Sequence, residues 1–222
     1  MNRILALETT TEFGSLALIE GGEVAAEVLL HARDGFGQVL FGHIEGLLQR
    51  NGWTLEQIDC FAAAAGPGSF TGVRVGLAAA KGLAEALSKP VVAVSNLQAL
   101  ASYGVGPLRA AVLDARRGQI YGAVYDAALR AVEPEVVAHF SQWLTTLPEG
   151  ELVFISTDFS PFRGALAGTR FENAPVIEAP RALAGAIGRI AAARLEAGEA
   201  RDPAAIDANY VRRSDAELFW RE

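Results

Sequence analysis

The glycine-rich stretch from Gly66 to Gly76 is the part of this 222-residue chain whose residue types and spacing most suggest chemistry. It reads GPGSFTGVRVG and joins an apolar run typical of a strand, Ile58 to Ala65, to a predicted helix, Val73 to Leu87. Such a turn exposes backbone N–H groups, and the positive end of the helix dipole favours an anion. The residues that could contact an anion or a nucleotide are Glu8, Gly66, Gly68, Ser69, Thr71 and Gly72.

The spacing of these glycines differs from that of the common phosphate-binding motifs. It fits neither G-x-G-x-x-G nor G-x-x-x-x-G-K-[ST], so neither a Rossmann site nor a P-loop is supported. Ser69 and Thr71 have no base close to them in the sequence. Both residues suit the capping of a helix that begins around Val73 better than a nucleophilic role. A plain strand-to-helix turn without a ligand is therefore an alternative interpretation.

The sequence contains no recognisable set of metal ligands or catalytic side chains. The three histidines, His31, His43 and His139, are scattered, and no nearby Asp, Cys or second His completes a metal-binding set. The single cysteine, Cys60, lies within an apolar run and is expected to be buried. We therefore predict no catalytic residue and no metal site.

The composition predicts a soluble globular protein. The chain has 26 acidic and 19 basic residues, a net charge of -7 and 51% hydrophobic residues. These values indicate one large or two small domains. Because no apolar run is long enough to span a membrane and the first residues follow a strand pattern rather than that of a signal peptide, we expect a cytoplasmic protein. Because nucleic-acid-binding proteins usually present a basic surface, the chain alone should bind tRNA poorly. Two arginine pairs, Arg116 with Arg117 and Arg212 with Arg213, are local exceptions, although such pairs are usually solvated surface.

An apolar strand, an acidic residue, a polar turn and a second apolar strand occur twice along the chain. The first copy consists of Arg3 to Leu7, Glu8 and Ser15 to Ile19, and the second of Arg109 to Leu113, Asp114 and Gln119 to Tyr125. A third strand, Val24 to Leu30, follows a Gly-Gly turn, which predicts an antiparallel meander. The repeat indicates an α/β fold with two related lobes, in which Glu8 and Asp114 occupy equivalent places.

The boundary between the two lobes is predicted near Tyr103, because Gly104, Gly106 and Pro107 then interrupt the pattern. The first lobe is predicted to span residues 1–103, joined by the tail 206–222, and the second to span residues 104–205. The elements predicted in the second lobe after its first hairpin are a helix at His139 to Leu147, a strand at Leu152 to Ser156, a short helix at Pro161 to Ala167, a strand at Val176 to Glu178 and a helix at Arg181 to Ala197.

Two predicted helices of the first lobe carry unusually small residues. The helix from Gln38 to Arg50 has an apolar stripe at core spacing, formed by Leu40, Ile44, Leu47 and Leu48. A mid-helix glycine costs about 1 kcal/mol relative to alanine, so small residues off this stripe suggest close approach of another backbone. We predict that these helices pack either on their own sheet or on another subunit. The candidate partner-interface residues are Val39, Gly42, His43, Gly46, Gly76, Ala79, Ala80 and Leu83.

Three stretches together resemble the TsaB family, also called YeaZ. They are GPGSFTGVRVGLAAAKGLA from Gly66 to Ala84, LALETTTEFGSLAL from Leu5 to Leu18, and NYVRRSDAE from Asn209 to Glu217. Residues Pro134 to Pro203 carry little of the family's pattern. The resemblance implies an actin-like α/β fold of two ribonuclease-H-like lobes, with mixed sheets flanked by helices and a degenerate second lobe.

The resemblance also implies a function without catalysis by this chain. Members of the family bind and activate the transferase TsaD, and the complex with the ATPase TsaE transfers threonylcarbamoyl to N6 of the tRNA adenosine 3' of the anticodon. The expected partners are therefore TsaD and TsaE, with a homodimer when the chain is alone and tRNA reached only through the complex. No cofactor of its own is expected, and any ATP would belong to the complex.

The sequence departs from the catalytic patterns of this superfamily at two places. Glu8 stands where the family more usually has Asp, which weakens a nucleotide role for the first lobe, and a carboxylate directed to the surface is expected there. In TsaD a His-x-x-x-His pair after the next strand binds the metal. The matching positions here are Asn96 and Leu100, which cannot form a two-imidazole site.

Two enzymatic functions remain as alternatives to the accessory role. An independent actin-like small-molecule kinase or ATPase is favoured by the hairpins and the glycine loop, and opposed by Glu8 and the short chain. A metallopeptidase of the M22 glycoprotease-like kind is opposed by the absent histidine pair.

Overall fold

The chain forms two compact units in the computed structural model, which describes residues 1–211. One unit comprises residues 1–96 and 181–209, and the other comprises residues 97–180 with residues 210 and 211. The elements found within residues 1–211 are the strands β1 (Arg3–Glu8), β2 (Phe13–Glu20), β3 (Glu23–His31), β4 (Cys60–Ala64), β5 (Val91–Val94), β6 (Leu108–Asp114), β7 (Gln119–Asp126), β8 (Val136–His139), β9 (Leu152–Ser156) and β10 (Val176–Glu178), and the helices α1 (Leu40–Arg50), α2 (Phe70–Leu87), α3 (Asn96–Ala101), α4 (Phe140–Leu144), α5 (Ser160–Arg163) and α6 (Ala184–Glu196).

Both units are built around a five-stranded mixed sheet with the same topology. The first sheet has the order β3-β2-β1-β4-β5 and the second has the order β10-β9-β6-β7-β8. In each sheet the first three strands form an antiparallel meander, and the last two strands lie parallel to the first. The structure therefore confirms the α/β class and the internal repeat that the sequence predicts.

Helices cover both faces of the first sheet, which explains why the central strands are apolar throughout. Leu5 and Leu7 of β1 belong to a core that also contains the predicted α1 stripe and the apolar side chains of α2. Because β3 and β4 both run parallel to β1, their C-terminal ends lie on the same side of the sheet as the end of β1. Helices α1 and α2, which follow these two strands, therefore begin on that side. Helix α2 begins at Phe70, earlier than the predicted Val73, because the Ser69 hydroxyl caps it by accepting a 3.3 Å hydrogen bond from Gly72 N.

Helix α6 packs on the opposite face of the first sheet, so the structure differs from the prediction that assigns it to the second lobe. Its position depends on Gly188, where a Cβ would collide with the Ile19 side chain. The periodic pattern of a helix does not specify which sheet it covers, which is why the sequence misplaces it. Of the predicted tail 206–222, Ile206 packs in the first core, and residues 212–222 lie outside the described part of the chain.

The N-terminus of α6 is capped by side chains from the sheet beneath it. Ser15 Oγ of β2 accepts hydrogen bonds from Leu183 N at 3.1 Å and Ala184 N at 3.0 Å. The Glu27 carboxylate of β3 accepts one from Gly185 N at 2.7 Å. Burial raises the pKa of Glu27, and the bond from Gly185 opposes that shift. These contacts supply the acceptors that a side chain at the helix start would otherwise provide.

The core of the second unit is aromatic. Phe140 of α4 lies 5.2–6.2 Å, between ring centres, from Trp143, Phe154, Phe159 and Phe162. The predicted helix at His139 to Leu147 is shorter in the structure, and the predicted short helix is α5 followed by a 3-10 turn at Gly164–Leu166.

Among the helices of residues 1–211, none is long and apolar enough to cross a membrane.

We expect Ser15→Ala to lower the free energy of unfolding by about 1–3 kcal/mol, because two buried backbone N–H groups lose their acceptor. Urea denaturation of the purified chain measures this change. Ser141→Ala, an exposed hydroxyl in α4, is the matched control and should alter stability by less than about 0.5 kcal/mol. A Ser15→Ala variant as stable as the wild type would show that the cap contributes nothing.

Candidate functional site

The glycine loop, residues 66–76, packs directly on the turn between β1 and β2. A Cβ on Gly68 would lie 2.6 Å from Thr10 Cβ, and one on Gly76 would lie 2.5 Å from Thr9 Oγ1. A Cβ on Gly72 would collide with the backbone carbonyl of Thr9. The missing side chains of these three glycines therefore make room for the chain's own turn.

Hydrogen bonds fix the loop to this turn. Thr9 Oγ1 donates to Gly72 O at 2.7 Å, and Ser69 N donates to Thr10 O at 2.7 Å. Thr71 is exposed in the first turn of α2, and a Cβ on Gly66 would lie 3.0 Å from Asn209 O. The residues predicted to contact an anion thus do come together, and Gly66, Gly68 and Gly72 are covered by other parts of the chain.

Glu8 is buried at the end of β1, with only 2% of its surface exposed. The expectation of a carboxylate directed to the surface is wrong, because the glycine loop covers this end of the strand. Glu8 Oε1 accepts hydrogen bonds from Thr10 N at 2.6 Å and Thr10 Oγ1 at 2.5 Å. Burial raises the pKa of Glu8 to about 7, and the two bonds from Thr10 oppose that shift.

Asn96 links the loop, the turn and the buried acid. Its Nδ2 donates to Thr10 Oγ1 at 2.6 Å and to Pro67 O at 3.0 Å, and its backbone N donates to Gly66 O at 2.8 Å. Its Oδ1 is buried and has no hydrogen-bond partner within residues 1–211. Sequence reasoning considered Asn96 only as a missing metal ligand, and it missed this bracing role. The sequence signal is a polar residue directly after a buried strand.

The three histidines and the cysteine, all within residues 1–211, have separate surroundings. The His31 ring stacks on Phe13 at 4.6 Å, His139 Nδ1 lies 3.0 Å from Gly118 O, and His43 is exposed on α1. Burial raises the pKa of the Cys60 thiol to about 12, which keeps it protonated and unreactive. Within residues 1–211, no group of three or more His, Cys, Asp or Glu side chains is arranged to hold a metal ion.

The predicted interface residues divide into an accessible and an internal set. On α1, Val39 is 41% exposed, Gly42 and His43 are exposed, and Gly46 is half-buried beside Arg50. On α2, Gly76, Ala79 and Ala80 are buried within this chain, and Leu83 is half-buried against the core. Gly76, Ala79 and Ala80 therefore pack within their own unit, whereas Ala78, Gly82 and Ala86 of the same helix are exposed.

Two exposed aromatic residues near these helix starts were missed by sequence reasoning. Phe41 of α1 is 57% exposed and Phe70 of α2 is 40% exposed. The Arg74 guanidinium carbon lies 3.6 Å from the centre of the Phe70 ring. Their sequence signal is an aromatic residue placed off the apolar stripe of a helix.

The two sheets of equal topology, with an acidic residue at the end of β1 beneath a glycine loop, define an α/β protein of the actin-like class. The fold alone is shared with the activator of the 2-hydroxyisocaproyl-CoA dehydratase from Clostridium difficile, at a TM-score of 0.51 and 12% identity. That similarity covers 90% of this chain and 98% of the other.

Closer similarity identifies the family. A family model described as "TsaD: tRNA N6-adenosine threonylcarbamoyltransferase" matches residues 17–162. The tRNA threonylcarbamoyladenosine biosynthesis protein TsaB of Bacillus subtilis is 32% identical over 71% of this chain and 72% of its own length. The Escherichia coli protein of the same name is 35% identical over 70% and 71%. The structure of YeaZ from Pseudomonas aeruginosa, 26% identical, covers 95% of this chain and 100% of its own with a TM-score of 0.78. The chain belongs to the TsaB family.

We expect Glu8→Gln to flatten the dependence of stability on pH. The folded chain holds the Glu8 proton up to about pH 7 and the unfolded chain only to about pH 4.5, so the wild-type free energy of unfolding falls as the pH rises between these values. This group lowers it by about 3 kcal/mol at most, because one pKa unit corresponds to about 1.4 kcal/mol. Urea denaturation at a series of pH values measures the difference.

Glu12→Gln is the control for this experiment, because it removes an exposed carboxylate from the same turn. It should keep the wild-type difference between acidic and alkaline stability. An equal pH dependence in the wild type and in Glu8→Gln would contradict the burial of the Glu8 carboxyl.

Proposed function

We propose that this chain acts in tRNA threonylcarbamoyladenosine biosynthesis as a non-catalytic subunit that binds and activates a TsaD-type transferase. The names of the Bacillus subtilis and Escherichia coli relatives support the pathway. The partial match to the TsaD family model supports a partner of related fold, because paralogous subunits often pair through equivalent surfaces.

The packing of the glycine loop supports a role without catalysis. In an actin-like catalyst the end of the first strand and the loops around it hold nucleotide phosphates and metal. Here Thr9 and Thr10 occupy the space beside the loop glycines, and Thr10 donates two hydrogen bonds to the Glu8 carboxylate. Sustained ATP turnover by the purified chain would overturn this part of the proposal and favour the kinase or ATPase alternative.

The observation that carries the partner assignment is Gly42, the third residue of α1, which is exposed. Apart from its own helix backbone, no heavy atom of residues 1–211 lies within 4 Å of a Cβ built on Gly42. The described fold therefore does not require this glycine, although glycine costs about 1 kcal/mol relative to alanine within a helix. Gly76 differs, because Thr9 occupies the space beside it. A partner that approaches the α1 backbone closely accounts for Gly42.

Exposed apolar side chains lie close to the start of both helices. Val39 and Phe41 are 41% and 57% exposed around the first turn of α1, and Phe70 is 40% exposed at the first residue of α2. Both helices begin at the same edge of the sheet. Aromatic residues with an exposed apolar surface are enriched in protein interfaces and account for much of the binding energy there. We therefore define the docking face as Val39, Phe41, Gly42, His43, Gly46 and Phe70.

The docking face can serve one partner at a time. In the absence of the transferase, a second copy of this chain occupies it, which gives a homodimer. When the transferase is present it displaces the second copy, and TsaE joins the resulting complex. The chain meets tRNA only within that cytoplasmic complex, and any ATP is bound at the level of the assembly.

We expect Gly42→Leu to weaken binding to the TsaD-type transferase at least tenfold, because the leucine side chain holds the partner away from the α1 backbone. Titration calorimetry with the purified transferase measures the affinity, and thermal denaturation checks that the variant stays folded. Gly42→Ala should raise the stability of the free chain by about 1 kcal/mol, since a Cβ there meets open space.

Gly164→Leu is the matched control. Gly164 also has a helical φ, -61°, and open space around a Cβ among the described residues, and it belongs to the second unit. It should bind the transferase with wild-type affinity. Unchanged affinity for Gly42→Leu, or equal losses for both variants, would reject α1 as the docking face.

A further inference from the structure

The hairpin tip of the second unit, residues 115–118 between β6 and β7, carries two arginines in an unusual backbone conformation. Arg116, Arg117 and Gly118 all lie in the left-handed region, with φ of 65°, 56° and 72°. Glycine adopts this conformation readily, whereas residues with a Cβ do so at a cost in free energy. Turn stability therefore does not explain two consecutive arginines, and such backbone outliers tend to cluster at functional sites.

Local hydrogen bonds hold the tip in this conformation. Asp114 Oδ1 accepts from Arg116 N at 2.8 Å, and Gln119 N donates to Arg116 O at 3.0 Å. His139 Nδ1 lies 3.0 Å from Gly118 O, which ties the tip to the end of β8. The backbone that presents the two guanidinium groups is thus organised before any ligand arrives.

The equivalent turn of the first unit shows what differs at this tip. There the glycine loop covers Thr9 and Thr10, which are 1% and 2% exposed, whereas Thr11 and Glu12 are exposed. In the second unit the residues at the tip, Arg116, Arg117 and Gly118, are exposed. The exposed part of the first turn therefore carries an acidic residue, and the exposed part of the second carries two arginines.

The composition of the tip favours an anionic ligand. The chain as a whole has a net charge of -7, whereas two exposed arginines lie next to each other at this tip, after Asp114 and close to His139. Guanidinium groups bind phosphate oxygens through paired hydrogen bonds and are the usual choice for nucleic-acid backbones. Phosphate contacts position a protein on a nucleic acid and do not read its sequence.

We propose that the hairpin tip contacts the phosphate backbone of the tRNA that the complex modifies. This inference rests on the proposed function, which brings the chain and tRNA into one assembly. The acidic surface elsewhere makes the contact useful only within that assembly, where the transferase supplies the main binding surface. The tip then helps to orient the tRNA.

The test is tRNA binding by the complex of this chain with the transferase, measured by filter binding over a series of salt concentrations. The double variant Arg116→Ala with Arg117→Ala should bind tRNA about tenfold more weakly. The slope of log affinity against log salt should decrease by about 1–2, because each lost phosphate contact removes roughly 0.9. The double variant Arg116→Lys with Arg117→Lys should retain most of the slope, since it keeps both positive charges. Arg163→Ala, an exposed arginine of α5, is the control and should behave as the wild type.

The outcomes separate this inference from the proposed function. Unchanged affinity and slope in the Ala double variant would overturn the tRNA contact. Weaker binding of the transferase itself, with normal tRNA binding by the complexes that do form, would overturn it in favour of a protein contact. If the wild-type chain does not bind the transferase at all, the proposed function fails. The tRNA contact, which depends on that assembly, then fails with it.

Discussion

The first unit depends on the packing of the glycine loop against the turn between β1 and β2. Glycines at 68, 72 and 76 let α2 lie against Thr9 and Thr10, and hydrogen bonds from Thr9 and Asn96 hold the two segments together. The same contact encloses Glu8, whose buried carboxyl is tolerated because Thr10 donates two hydrogen bonds to it. The position of α2, and with it part of the surface available to a partner, follows from this one contact.

A glycine in a helix leaves room for another segment, and its surroundings show whether this chain supplies that segment. Gly76 and Gly188 admit segments of this chain, namely Thr9 and the Ile19 side chain. Gly42 has open space where a Cβ would point. The loop that resembles an anion site in the sequence is thus explained by internal packing, whereas Gly42 lies on the exposed surface that we assign to a partner. A helical glycine is therefore evidence of internal packing at some positions, and of a surface open to a partner at Gly42.

Much of the fold could be predicted from the sequence, because its signals are local. Alternating strands, polar turns and the stripe of α1 follow from side-chain periodicity, and the hydroxyl of Ser69 signals the start of a helix. The burial of Glu8 could not be predicted, since the loop that covers it lies about 60 residues further along the chain. The position of α6 could not be predicted for a similar reason, because its periodic pattern indicates which face of the helix is buried but not on which sheet the helix packs. Asn96 shows the same limit, because its partners come from two distant turns.

Helix α6 is synthesised well after the sheet that it covers, which has a consequence for the folding of the nascent chain. The helix that covers the second face of the first sheet follows residues 97–180 of the second unit in sequence. While the ribosome is still translating the intervening residues, the nascent sheet has emerged with that face bare. At about 5–20 residues per second, the roughly 90 residues between the end of β5 and the start of α6 leave it so for on the order of 4–18 s. A nascent chain with an uncovered apolar sheet is a substrate for chaperones that bind during synthesis.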